Sequence, residues 1–427
     1  MSITHRETFS ILNLSIERVR FDSGLTLLLQ SGGRAPVCSF QSWVRSGSMH
    51  DPINRSGLAH FFEHLMFTGT PRFPEGDLDH WVEENGGQIN AATWLDWTYY
   101  HTELPSESVL NFVEREADRF VHLSLDPDRF ERERQVVLSE RREQVEGEPE
   151  SLLSEMLWSG VLPHDTYGRP TIGTTEDIGH ISRQDCLAYY QNAYGPANMI
   201  ISVSGTFDVD ALIKRVAAAF PLRDHHNPPN PIHSSGGQYC AGFKGETSLP
   251  SRGEKLYVGL PSPGIDSLDF AALEVVHHTL LEGETGRIQR HLINEAELVT
   301  YASGFLPSLM HESLYEMGFD LRRNVIAEDI LQLVRNHFEN LFEDGISQRE
   351  LDRARNRIEL DVIEGLQTVE QRAHSIGFWE AVTGDCQRSA IRLEQYRALD
   401  QDTVNAAIRK WWSPDRLSWT IGRCQND

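Results

Sequence analysis

At 427 residues the chain exceeds one typical domain, and two domains of about 200 residues each are expected. Lys and Arg total 39 against 63 Asp and Glu, a formal net charge of −24. That balance argues against nucleic acid or an anionic membrane surface as a partner, and it suits attraction of basic peptides as well as plain solubility.

In chain order, Met1 to Arg6 leads straight into a strand-like segment with no apolar h-region. No run of about 18 apolar residues follows anywhere, so no membrane span is expected. Cys38, Cys186, Cys240, Cys386 and Cys424 form no C-x-x-C pattern, which fits structural thiols in a reducing compartment. The expectation is a cytoplasmic protein of bacterial origin.

The segment with the most chemistry is His60-Phe61-Phe62-Glu63-His64, an H-x-x-E-H pattern. Two imidazoles four residues apart fall on one face of a helix and can aim at one metal ion. Glu63 between them is placed to take a proton from a water at that metal. This is the inverted order of the H-E-x-x-H zinc motif. The alternative is a helix carrying two partly buried histidines. A charged Glu is costly to bury there unless it is paired or linked to metal, which favours a site. Asn54-Arg55-Ser56-Gly57 reads as the helix entry, and Gly69, Pro71 and Pro74 as its stop, giving a helix of about 12 residues.

Gln88 to Thr93 reads as a strand after the Gly86-Gly87 turn. Asp128 to Glu140 is a long amphipathic helical run. Catalytic zinc has three protein ligands and one open position, so two histidines need a third donor on another element. Glu133 and Glu140, seven residues apart, share a face of this run with Val136 and Val137 between them, and are the candidates. Glu131, Glu143 and Glu146 belong to a solvated charged face.

Residues 224–238 form a turn-rich, prolyl linker between an N-terminal domain (1–223) and a C-terminal one (239–427). Its histidines, His225, His226 and His233, lack a carboxylate neighbour and are not expected to bind metal. A repeat flanks the linker. Tyr194-Gly195-Pro196 and the strand after it match Trp412-Ser413-Pro414 and the strand there, and Phe130–Arg134 matches Leu351–Arg355. Opposite His60–His64 stands Glu274-Val275-Val276-His277-His278, with the ligand set scrambled. The chain therefore reads as two copies of one α+β unit, of which only the first kept the metal.

The H-F-F-E-H segment, the following Gly-Thr-Pro, Gly86 to Ala91, Glu131 to Glu140, Tyr167 to Pro170, Thr171-Ile172-Gly173 and Glu176-Asp177-Ile178 together resemble the pitrilysin/insulinase zinc metallopeptidases. The likeness is to the short, two-subunit branch that includes the mitochondrial processing peptidase, and it extends over nearly the whole chain. It implies two homologous α/β-sandwich halves, each a mostly antiparallel sheet packed against helices, joined by the linker. It implies Glu140 as the third ligand beside His60 and His64, one Zn²⁺ per chain, and Glu133 as a carboxylate that orients a ligand. Glu63 would activate a zinc-bound water for attack on a peptide carbonyl. Asn90 and Ala91 match substrate contacts on an edge strand to which peptide adds as a further strand.

The same resemblance exposes a gap. The family supplies an Arg and, seven residues later, a Tyr from a distant half. Here those positions hold Ile293 and Thr300, while Arg287, Arg290 and Tyr301 are out of register. The favoured expectation is an endopeptidase subunit that forms a chamber with a homologous non-zinc partner supplying Arg and Tyr. The alternatives are a self-sufficient homodimer and a non-catalytic scaffold of the same fold.

Overall fold

The computed structural model describes residues 1–33, 35–220 and 239–424. They form two compact units: 1–139, 170–220 and 363–391 make the first, and 140–169, 239–362 and 392–424 the second. The expected linker, with its three histidines, lies outside the described residues.

The first unit is built on a seven-stranded sheet of β1 (Ile3–Ile11), β2 (Leu14–Phe21), β3 (Thr26–Ser31), β4 (Val37–Val44), β5 (Gln88–Thr93), β6 (Thr98–Pro105) and β7 (Met199–Gly205). Their order is β1-β2-β3-β7-β4-β6-β5, and only β3 and β7 run parallel. The second unit carries β8 (Lys244–Leu249), β9 (Lys255–Ser262), β10 (Val299–Phe305), β11 (Ser313–Leu321) and β12 (Ser418–Cys424). Read from β8, that sheet runs β8-β12-β9-β11-β10, again with one parallel pair, β8 with β12. This repeats β3-β7-β4-β6-β5 strand for strand. The sequence repeat that begins at Tyr194 and Trp412 is thus the repeat of β7 and β12, and the first sheet adds the β1–β2 hairpin.

Why β4 reads as almost continuously buried follows from its two covered faces. Cys38, Phe40 and Val44 face one apolar cluster, which includes Phe61, Phe62 and Phe112; Trp43 faces another with Ile200 and Ile376. The second cover is the Val369–Thr383 helix, where a Cβ on Gly377 would meet Trp43 Nε1 at 2.2 Å. The second unit makes the reciprocal arrangement with the Pro149–Val161 helix on β9 and β12, where Thr420 Oγ1 donates to Leu153 O at 3.0 Å. The two sheets therefore respect the expected halves of the sequence, but each is covered by a helix from the other half. Among the described residues no helix is long and apolar enough to cross a membrane.

Candidate metal centre and active site

The H-x-x-E-H segment lies on the Leu58–Leu65 helix, eight residues long rather than the expected twelve or so. It stops four residues before Gly69, where the backbone tightens: Met66, Phe67 and Thr68 N–H reach back three residues to Glu63 O, His64 O and Leu65 O, and Thr68 Oγ1 also donates to Leu65 O at 2.7 Å. Gly69, at φ +86°, instead starts the next turn and bridges to Pro74. The helix entry is built from outside. The buried carboxylate of Asp51 accepts from Gly57 N at 2.8 Å and Ala59 N at 2.9 Å, satisfying donors that a helix start leaves orphaned. Gly57, at φ +89°, passes so close to the Thr171-Ile172-Gly173 loop that a Cβ would meet Ile172 O at 2.4 Å. Asp177 Oδ2 accepts from Ser56 N at 3.1 Å. The Thr171–Gly173 and Glu176–Ile178 segments thus serve as the buttress of the motif helix.

Phe61, Phe62 and Leu65 pack inward at full burial, Phe62 against the rings of Tyr189, Tyr190 and Tyr194. That fixes the helix about its axis and leaves His60 and His64 half-buried on the other side, ring centroids 4.9 Å apart. The Pro127–Arg141 helix brings Glu140 to them: one donor atom from each of His60, His64 and Glu140 lies within 4.8 Å of the others. Glu133, on the same helix, has Oε2 at 3.7 Å from His64 Nδ1. The division between the two compact units falls between Ser139 and Glu140, inside this one helix, which carries both carboxylates together. Val136 and Val137 differ from expectation. Val137 is fully buried while Val136 is 48% exposed, so the carboxylates run along the border of the apolar face rather than within it.

Glu63 is 9% exposed, and its Oε2 accepts a hydrogen bond from Thr93 Oγ1 at 2.5 Å. Thr93 ends β5, which spans the residues read as a strand from the sequence and is the edge of its sheet. Asn90 is exposed there, and its own Oδ1 accepts from Ala91 N at 2.8 Å.

In the second unit the counterpart residues are engaged in packing. His277 Nδ1 lies 3.1 Å from the Tyr315 hydroxyl, and burial pulls its pKa down to about 4, so the ring is neutral. Glu274 takes the Tyr396 hydroxyl, and burial raises its carboxyl pKa. Ile293 sits in the Gln289–Glu295 helical turn and Thr300 in β10, where its Oγ1 donates to Asp320 O at 3.1 Å. Arg287 forks onto Glu350 at 2.7 and 2.8 Å, and Arg290 lies 3.5 Å from Glu295. A further grouping, Glu380, Asp385 and Cys386, is ringed by Arg18, Arg20 and Arg45, which already supply its positive charge.

Residues 26–175 match the insulinase (peptidase family M16) domain, and residues 180–358 match the peptidase M16 inactive domain. The chain belongs to peptidase family M16. Zinc protease PqqE of Helicobacter pylori is 27% identical over 82% of this chain and 80% of its own. The mitochondrial-processing peptidase subunit beta of Blastocladiella emersonii is 31% identical over 49% of this chain and 45% of its own. The fold matches the crystal structure of a protease from Helicobacter pylori with a TM-score of 0.91 at 23% identity, covering 96% of this chain and 99% of that one. As an M16 protein, the chain joins a group of relatives named zinc proteases, and the inactive-domain match, which starts at residue 180, lies mostly on the half whose counterpart residues are scrambled.

Proposed function

We propose that the chain is a zinc-dependent endopeptidase acting on peptides or unfolded segments. The observation that carries this reading is the convergence of His60, His64 and Glu140 beside Glu63. Two imidazoles and a carboxylate on two elements make a donor set proper to catalytic zinc, whose ligand bonds of about 2.0–2.2 Å put neighbouring donors about 3.4 Å apart in a tetrahedral site. Donors gathered within 4.8 Å fit that demand with small side-chain adjustments. Zinc held there would supply a Lewis acid for the scissile carbonyl and acidify water beside Glu63.

Glu63 then takes the proton of the attacking water and returns it to the leaving amine. Glu133 orients the imidazole of His64 through Nδ1, the contact at 3.7 Å. Asn90 and Ala91 receive the peptide main chain as an added strand at the open edge of β5, a mode largely indifferent to side-chain sequence.

The favoured assembly is a heterodimer that encloses a chamber, with a homologous non-zinc chain supplying Arg and Tyr. Ile293 and Thr300 support it, having neither charge nor phenol to offer a carbonyl, and so does the similarity to a mitochondrial-processing peptidase beta subunit. A homodimer is the alternative assembly, and a scaffold the alternative role. Glu63→Gln should lower kcat by about 10²–10⁴-fold while metal analysis still finds one zinc per chain. Turnover surviving in Glu63→Gln would sink the reading, and a wild-type chain without zinc would favour the scaffold.

A further inference from the structure

We propose that Thr93 is the positioning residue of Glu63, and that it links the peptide-receiving edge of β5 to the catalytic base. This rests on the peptidase reading above. Thr93 Oγ1 donates to Glu63 Oε2 at 2.5 Å. A threonine hydroxyl has one proton, so this donation leaves Oγ1 only as an acceptor, and Thr98 Oγ1 stands 3.2 Å away. Thr98, fully buried on the neighbouring strand β6, donates its own single proton to the backbone oxygen of Ser46 at 3.0 Å, so the two hydroxyls touch and the Thr93 proton stays directed at Glu63. One carboxylate oxygen of Glu63 is therefore tied to a side chain of the sheet, not of its own helix. Holding that oxygen fixes the rotation of the carboxylate, and a base works only within hydrogen-bond reach of the proton it abstracts.

The tie comes from the strand that would receive substrate. On β5 the Ala91 N–H is 2.8 Å from Asn90 Oδ1, so a peptide carbonyl pairing there must displace that carboxamide. Ala91 and Thr93 lie two residues apart on one strand face, where side chains alternate. A shift in β5 on peptide addition thus reaches, two residues on, the hydroxyl that holds Glu63. The motif helix supplies the base, and the edge strand aims it.

The test uses the full chain loaded with zinc, assayed with its companion chain where turnover requires one. Thr93→Val keeps the shape and removes the donor; Thr93→Ser keeps the donor. Thr93→Val should lower kcat about 10- to 100-fold with KM within about twofold and zinc content unchanged, and Thr93→Ser should restore most of it. In a Glu63→Gln background Thr93→Val should cost nothing further, because the two act as a unit. Crystals of Thr93→Val should show the Glu63 carboxylate turned from its wild-type position, and those of Thr93→Ser should not. An unmoved carboxylate, an unchanged kcat, or a loss that tracks zinc content would overturn the proposal. Glu63→Gln as active as wild type would instead overturn the peptidase reading, whatever Thr93 does.

Discussion

Asp51 holds the start of the motif helix with both carboxylate oxygens, yet it stands six residues before Gly57 and seven before the helix begins. Its removal leaves two amide donors of a buried helix terminus without a partner in a place water reaches poorly. Asp51→Ala should therefore cost about 2 kcal/mol, from the lost cap and the unmade bonds. Urea unfolding of the metal-free chain measures it; a change within about 0.5 kcal/mol, the range of an ordinary surface substitution, would show the cap to be dispensable. The contrast with His60 and His64 shows what a sequence makes visible. Their relation is set by four residues of helix, so spacing alone announces it. The relations of Asp51 to Gly57 and of Thr93 to Glu63 depend on a loop path and on strand pairing, and neither is written in a local pattern.

At the scale of elements, Glu316 on β11 shows how the exchanged helix of the second unit is fastened. Its Oε2 accepts from Ser154 Oγ at 2.7 Å and Trp158 Nε1 at 3.0 Å, both on the Pro149–Val161 helix. Burial outweighs these donors and raises the carboxyl pKa to about 7, against an ordinary value of 4.5. Between those two pH values the folded state binds more protons than the unfolded one, so stability is highest below the window and falls as pH rises through about 7. A shift of that size corresponds to a pH-dependent loss on the order of 3 kcal/mol. Glu316→Gln keeps an acceptor for both donors and cannot ionise. Its stability relative to wild type should rise from pH 5 to pH 8, read from urea midpoints at each pH; parallel profiles for the two proteins would refute the assignment. β5 was legible residue for residue, because the Gly86-Gly87 turn marks where it begins. The motif helix was legible in place and not in length, since its backbone tightens to three-residue bonds after Leu65, before the glycine is reached. Which sheet the Pro149–Val161 and Val369–Thr383 helices cover was not legible at all. An amphipathic stripe says that a helix is buried, and says nothing of the surface that buries it.

For the whole molecule, the five strands of the second sheet copy five of the first in order and direction, while among the described residues the candidate His60, His64 and Glu140 donors belong to the first half of the sequence. The half with His60, His64 and Glu63 carries the donors and the base of the proposed site. The other half offers Ile293 and Thr300 where the resemblance calls for a guanidinium and a phenol, and its neighbouring Arg287 is already bound to Glu350. On the proposed reading, a peptide carbonyl that develops negative charge would lack the donors that a partner would bring. Losing one such donor costs about 10²–10³ in kcat in acyl-transfer enzymes. The isolated chain should therefore bind zinc fully and turn over slowly, and a homologous chain that lacks H-x-x-E-H but carries Arg and Tyr should raise kcat by at least that factor. Replacing that partner's Arg should return the mixture to the rate of the isolated chain, with zinc content unchanged. Concentration matters to the alternative: a homodimer would gain specific activity as this chain alone is concentrated, with no second protein present. Full turnover from the chain alone would exclude the heterodimer and require a donor other than the missing pair.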